Sequence, residues 1–250
     1  MYVVEQRSLS SYLSIIVIGT LGAKKFTTPL RSIASHSPIL TNYTYNQIEF
    51  NMSDSSSPKP VSVLFVCLGN ICASLPHHPS CLILTAPPGR STMAEGVFQS
   101  LVASAPASTR ELVSTIDSCG TGAYHVGDSP DSRTMATLRQ NDIKSYKHSA
   151  RKFAPQTDFD KFDYILAMDD SNLEDLEDLR KRVVKKKGGE EGVGKVMLFG
   201  EFGGEMRKGG RGEEVQDPYY GGNDGFTVAY EQAVKFSKVF LERLEKGELS

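Results

Sequence analysis

Four short runs of β-branched and apolar residues, VSVLFVC (61–67), LVSTIDS (112–118), DYILAM (163–168) and KVMLF (195–199), alternate with stretches of helical periodicity. That alternation is the mark of a parallel sheet. Its crossover connections lay helices on both faces, so each strand reads as one apolar run instead of switching between core and solvent. The helical stretches fall at about 92–104, 130–141, 171–186 and 224–246. In the last, Phe226, Ala229, Tyr230, Ala233, Phe236, Phe240 and Leu244 recur at steps of three and four and form one stripe, a core face and not a cofactor site. The pattern predicts an α/β domain with a four-stranded parallel sheet and helices on both faces.

Residues 1–60 read differently. Only Glu5, Glu49 and Asp54 are acidic there, and SDSSSPKP closes the segment like a linker, so we assign 1–60 to an N-terminal extension and 61–250 to one folded domain. The run YLSIIVIGTLGA (12–23) has the length of a signal-peptide core, but Glu5 offsets Arg7 ahead of it and no small-residue cleavage site follows. An acid-poor, serine-containing leader also fits a mitochondrial presequence, and Met52 offers a second start. No run of about 18 apolar residues predicts a membrane span. The formal net charge of -2 gives no general attraction for nucleic acid, so anion binding requires a local array of donors. Four cysteines, Cys67, Cys72, Cys81 and Cys119, lack the spacing of a disulfide scaffold and point to a reducing compartment, the cytoplasm.

Chemistry concentrates where the first strand ends. A thiol at the carboxyl edge of an open α/β sheet, followed by Leu68, Gly69 and Asn70 and then a helix, lies among backbone N–H groups and near the positive end of a helix dipole. Both favour the thiolate, so Cys67 reads as a nucleophile. Gly69 permits close backbone approach to a ligand, and Asn70 tolerates the left-handed conformation that a ring of amides requires.

CLGNIC, followed after an interruption by RSTMAE, resembles the signature CLGNICRSPMAE of the low molecular weight protein tyrosine phosphatases. The resemblance continues in order through IDSCGTGAYHVGDSPDSRTMATLRQ, HSAR, FDYILAMDDSNL and DPYYGG, over most of residues 61–246. It implies a three-layer, doubly wound sheet of flavodoxin-like order and hydrolysis of phosphotyrosine proteins or small aryl phosphates with no cofactor or metal. Cys67 would form a cysteinyl-phosphate, Arg90 would clamp the phosphoryl oxygens, and Asp217 would act as general acid and then base. Leu68, Gly69, Asn70, Ile71, Cys72 and Ser91 would line the phosphate, with Tyr124, Tyr219 and Tyr220 around the ring. Asn70, Ser91, Ser118 and His148 match the set that braces the loop, and Asp169 matches a position that holds the arginine, although an acidic helix cap explains Asp169 too. Cys72 matches a second loop cysteine able to protect the nucleophile as a disulfide. Ile71 stands where relatives acting on phosphoarginine carry threonine. Arsenate reductases of this fold need further cysteines for a disulfide relay, and none follows Cys119. The resemblance fits a monomer or weak dimer.

Seventeen residues, Ala73 to Gly89, interrupt the signature, so the sixth residue after Cys67 is Ala73 and Arg90 is the twenty-third. His77, His78 and Cys81 within it suggest no complete metal site. The segment reads either as a loop bulging from a site whose ends still meet or as intron sequence retained in frame, in which case the cellular polypeptide lacks residues 73–89. A third consequence is a catalytically impaired relative that only binds phosphoproteins or anions. Closing a loop of this length costs about 2–3 kcal/mol, which a domain of this size can absorb. Past the interruption, Thr92-Met-Ala-Glu95 has the form of a capping box, and the glycine-rich stretch Lys185–Gly212 around the fourth strand reads as solvated loops.

Overall fold

The computed structural model describes residues 59–68, 89–122, 126–218 and 224–249. Strand β1, Val61–Cys67, is followed by helices α1, Arg90–Ser104, and α2, Ala107–Arg110. Then come β2, Val113–Gly120; α3, Ser132–Gln140; α4, Pro155–Lys161; β3, Tyr164–Ala167; α5, Asp170–Lys187; β4, Lys195–Leu198; and α6, Gly225–Glu245. The strands form one sheet in the order β2-β1-β3-β4, every neighbouring pair parallel. This is the α/β, doubly wound four-stranded sheet expected from the sequence.

Every residue of β1 is buried because both faces of the strand are covered. Val61, Val63, Phe65 and Cys67 share one hydrophobic cluster with residues of α1 and α6; Leu64 and Val66 share the other with residues of α4 and α5. The period of two therefore puts Cys67 on the α1 side, at the carboxyl edge. Edge-to-face rings knit that side: Phe65 lies 5.6 Å from Phe98 and 5.1 Å from Phe199, and Phe240 lies 4.9 Å from Phe202. The α6 stripe lies in this cluster, with Ala229, Ala233, Phe236, Phe240 and Leu244 buried and Phe226 and Tyr230 at its margin.

The chain leaves β1 toward β2 on one side and reaches β3 on the other, so the strand order reverses between β1 and β3. Ligands of open α/β sheets bind in the crevice beyond the carboxyl ends at such a point. Here it lies between Cys67 and the turn Met168-Asp169.

Two expectations are corrected. Helices α2 and α4 replace predicted coil; Pro155 starts α4, where a missing N–H costs nothing. Much of Lys185–Gly212 is also not solvated loop. Helix α5 runs to Lys187 and ends at Gly188 in the left-handed conformation, φ 78°, with three lysines on its last turn where the dipole favours cations. Past β4, Phe199 and Phe202 are fully buried. Gly200 bridges Glu213 so closely that a Cβ there would strike the Glu213 carbonyl. Glycine in this stretch serves close backbone packing.

At the opposite edge of the sheet, Asp163 Oδ2 accepts hydrogen bonds from the Ser62 N–H (2.7 Å) and hydroxyl (2.6 Å), with Lys59 3.6 Å from Oδ1. Partial burial opposes its ionisation, but these partners outweigh it and hold the carboxyl below its ordinary value. A depressed folded-state pKa gives stability that is present above the unfolded value and is lost as pH falls through the folded one. Asp163→Asn should therefore flatten the acid limb of stability between about pH 5 and pH 3, read from urea midpoints. An unchanged limb would remove Asp163 from that account.

Candidate active site

Helix α1 begins at Arg90, directly after Gly89, and its first turn meets the end of β1. Ser91 Oγ lies 3.1 Å from Cys67 Sγ, a contact between residues 24 apart in the chain. The end of β1 and the start of α1 thus come together at the switch point. A thiolate can only accept, so in that state the Ser91 hydroxyl donates to sulfur.

Arg90 has a side chain only 9% exposed, and its neighbours are functional candidates. One terminal nitrogen, Nη1, is 2.7 Å from Asp169 Oδ2 and donates to the Val215 carbonyl at 3.2 Å; Nη2 is 3.8 Å from Asp217 Oδ2. Burial works against the guanidinium charge, but Asp169, Cys67 and Asp217 outweigh it and hold the group above its ordinary value. Asp169 divides its two oxygens: Oδ1 accepts the Asn172 N–H at 2.8 Å as the N-cap of α5, while Oδ2 holds Arg90. The cap reading and the arginine-holding reading are both satisfied by one carboxylate.

The segment 213–217 brings Asp217 to this edge. The Val215 N–H donates to the Met168 carbonyl at 2.8 Å, tying the segment to the end of β3. On the other flank, Leu68 accepts at its carbonyl from Thr121 Oγ1 (2.8 Å) and the Gly122 N–H (3.1 Å), which fixes the exit of β1 against the exit of β2.

Beneath the start of α1 is a buried polar cluster. Glu95, 3% exposed, receives the Ser118 hydroxyl at 2.6 Å, the Tyr146 hydroxyl at 2.8 Å and Gln99 Nε2 at 2.8 Å. His148 Nδ1 lies 3.1 Å from the same carboxylate, and His148 Nε2 is 3.5 Å from Ser118 Oγ. Burial and then the Glu95 charge push the Tyr146 phenol up, so it stays a donor. The capping-box expectation is thereby corrected: Thr92 sits inside α1, its hydroxyl donating to the Gly89 carbonyl at 3.2 Å, and Glu95 turns inward. Burying a carboxylate demands partners, and two distant segments, β2 and the loop after α3, supply them beside Gln99 of the same helix. Glu95→Ala leaves those donors in the core without an acceptor and should lower unfolding free energy by about 2–4 kcal/mol, measured by urea unfolding. A loss below about 0.5 kcal/mol would contradict this.

Glu95, Asp117 and His148 also place one donor atom each within 4.8 Å of one another. Asp117 Oδ2 is taken by Arg151 Nε at 2.9 Å and Glu95 by hydroxyl donors, so this set is satisfied by hydrogen bonds rather than arranged for a dication. Burial pushes the Cys119 thiol well up despite Arg151, which leaves it an inert core thiol.

The structure brings together Cys67, Arg90, Ser91, Asp169 and Asp217, with Ser118 and His148 behind them and Leu68 at the rim. Gly69, Asn70, Ile71, Cys72, Tyr124, Tyr219, Tyr220 and nearly all of the interrupting segment lie outside the described residues. Sequence reasoning missed Glu95 as an organising group, the Val215 carbonyl as an arginine acceptor, and Gln232, which holds the segment before Asp217.

A family model described as low molecular weight phosphotyrosine protein phosphatase matches residues 81–249. Its match starts inside the interrupting segment and does not reach Cys67. A low molecular weight phosphotyrosine protein phosphatase of Schizosaccharomyces pombe is 46% identical over 186 residues, covering 74% of this chain and 98% of the relative. One from Homo sapiens is 35% identical over 182 residues, covering 73% and 94%. Among solved structures, a protein tyrosine phosphatase from Entamoeba histolytica superposes with TM-score 0.51 at 30% identity, covering 76% of this chain and 99% of its own. A drosophila arginine phosphatase does so with TM-score 0.54 at 32%, covering 73% and 97%.

Proposed function

The chain belongs to the low molecular weight phosphotyrosine protein phosphatase family, and from that premise we propose that this polypeptide, interrupting segment included, hydrolyses phosphotyrosine through a cysteinyl-phosphate. The observation that carries the reading is the 3.1 Å approach of Ser91 Oγ to Cys67 Sγ across the interruption, with Arg90 next in the chain and its guanidinium paired toward Asp217.

The Cys67 thiolate attacks phosphorus, forming the S–P bond as the P–O bond to the aryl group breaks. The departing oxygen takes the electron pair of that bond and a proton from Asp217. Arg90 spreads charge from the equatorial oxygens over its planar fork. In the second half Asp217, now a carboxylate, accepts a proton from water, whose oxygen bonds to phosphorus as the S–P bond breaks. Ser91 donates to the sulfur that leaves. Leu68 and the loop residues Gly69, Asn70, Ile71 and Cys72 are proposed to cradle the phosphoryl group, with Tyr124, Tyr219 and Tyr220 against the ring and Ser118, His148 and Asp169 bracing loop and arginine. We assign catalysis to 61–250, and 1–60 to an extension. A reactive thiolate suits a reducing compartment, the cytoplasm, with a mitochondrial destination as the alternative for residues 1–51.

A second reading rests on the interruption itself: a phosphate cradle needs consecutive amides aimed at one point, and errors of about 1 Å in such sites cost on the order of a hundredfold. The full chain and a variant lacking residues 73–89 should therefore be assayed side by side with an aryl phosphate. We expect turnover by both, the full chain slower by up to about 100-fold. Turnover confined to the shortened variant would establish the segment as disabling. Asp217→Asn should lower kcat/KM for phenyl phosphate by about 10²- to 10³-fold and for dinitrophenyl phosphate far less, because the latter departs without a proton. Equal losses on the two substrates would remove Asp217 as the acid. Phosphoarginine belongs in the same panel, and Ile71 predicts little turnover of it.

A further inference from the structure

Gln232 stands on the buried face of α6, between Ala229 and Ala233, and is 7% exposed. A polar side chain on an apolar face needs partners, and these are all on the segment that leads to Asp217. Its Oε1 accepts the Gln216 N–H at 2.9 Å. Its Nε2 donates to the Glu214 carbonyl at 3.0 Å and to Glu213 Oε1 at 2.5 Å. One carboxamide thus brackets residues 214–216 as a neighbouring strand would, and its last contact is on the residue directly before Asp217.

Arg90 pairs with the Asp217 carboxylate itself, and further holds act earlier in the segment. Val215 is tied by its N–H to Met168 and by its carbonyl to Arg90. The Glu214 carboxylate accepts the Asp170 N–H at 3.0 Å and lies 3.3 Å from Arg207 Nη1. They fix where the segment lies. The Gln216 peptide governs the direction in which Asp217 leaves it, and there Gln232 supplies the contact. The backing is rigid, since Ala229, Ala233 and Phe236 on the same face are at most 1% exposed.

We propose that Gln232 is a positioning residue that aims Asp217 at the leaving-group oxygen. This rests on the phosphatase reading above and goes beyond it, because Gln232 touches neither substrate nor nucleophile. Its effect falls on the proton transfers that Asp217 makes, of which kcat/KM for aryl phosphates reports the one to the leaving group. A purely structural Gln232 would affect every substrate alike.

The test uses the full chain. Gln232→Ala should lower kcat/KM for phenyl phosphate by about 10- to 100-fold while changing that for dinitrophenyl phosphate by less than about 3-fold, steepening the dependence on leaving-group basicity. Amide hydrogen exchange of Gln216, followed by NMR, should accelerate at least about 10-fold, with the Val215 amide little changed. Gln232→Glu keeps an acceptor toward Gln216 and loses the donated bonds, so it should preserve Gln216 protection and fall between parent and alanine variant in kinetics; it also serves if the alanine variant does not fold. Equal losses on both phosphates, or Gln216 exchange unaltered in Gln232→Ala, would overturn the proposal. If the parent chain hydrolyses neither phosphate, the phosphatase reading fails and the aiming role with it, while Gln216 exchange still reports whether Gln232 holds the segment.

Discussion

Cys67→Ser is expected to fold like the parent chain and to hydrolyse aryl phosphates at least about 10⁴-fold more slowly. Cys67 lies at the end of a fully buried strand, is 4% exposed, and is on the face packed by α1 and α6. Oxygen in its place is smaller and leaves the aromatic packing around Phe65 intact. Among the described residues the side chain at hydrogen-bond distance from position 67 is Ser91, a hydroxyl and not a base, so a serine there lacks a partner to take up its proton. A helix start does not bring an alcohol within reach of ionisation. Steady-state turnover of an aryl phosphate, with a melting curve on the same sample, reads both halves of the expectation. Turnover retained within tenfold would remove the nucleophile assignment.

Arg90→Lys should cost about 10²- to 10³-fold in kcat/KM, although the charge is kept. The guanidinium reaches three partners at once, Asp169, the Val215 carbonyl and Asp217, and in the proposed mechanism its planar fork also meets the phosphoryl oxygens. An ammonium is a point charge that cannot span that set. Arg90→Ala should in addition destabilise the fold by about 3 kcal/mol, because the Asp169 carboxylate that caps α5 then loses the buried guanidinium it pairs with. Urea unfolding separates the two effects. A lysine variant as active as the parent would show that charge alone suffices and that fork geometry is irrelevant here.

Strands β1 to β4 were legible because burial on both faces selects continuous β-branched runs, and α6 was legible because its apolar residues keep the 3.6 period over its whole length. Helices α2 and α4, four and seven residues long, are too short to develop a period. Phe202 was hidden by its setting, since GEFGG reads as solvent loop until the close approach of Gly200 to Glu213 folds the phenylalanine inward. At the site, the order of separated motifs pointed to Cys67, Arg90 and Asp217, and the adjacency of Ser91 to Cys67 followed from nothing local. Glu95 looked like a cap because Thr-x-x-Glu is a local pattern; its real partners, Ser118, Tyr146 and His148, arrive from β2 and from the loop after α3. Gln232 did leave a trace in the sequence. It is a polar residue between Ala229 and Ala233 on an apolar face, and a group placed there needs a buried partner.

A sulfur at position 67 and a guanidinium at position 90 are proposed to grip one phosphoryl group although seventeen residues separate the two halves of their loop. The most direct measurement mixes the full-length Asp217→Asn chain with an aryl phosphate, quenches within the first turnovers and maps any adduct by mass spectrometry. The mass of one phosphoryl group is expected on the peptide containing Cys67, and is expected to be absent from a Cys67→Ser, Asp217→Asn chain. No adduct on the full chain, with a clear one on the variant lacking residues 73–89, would contradict it.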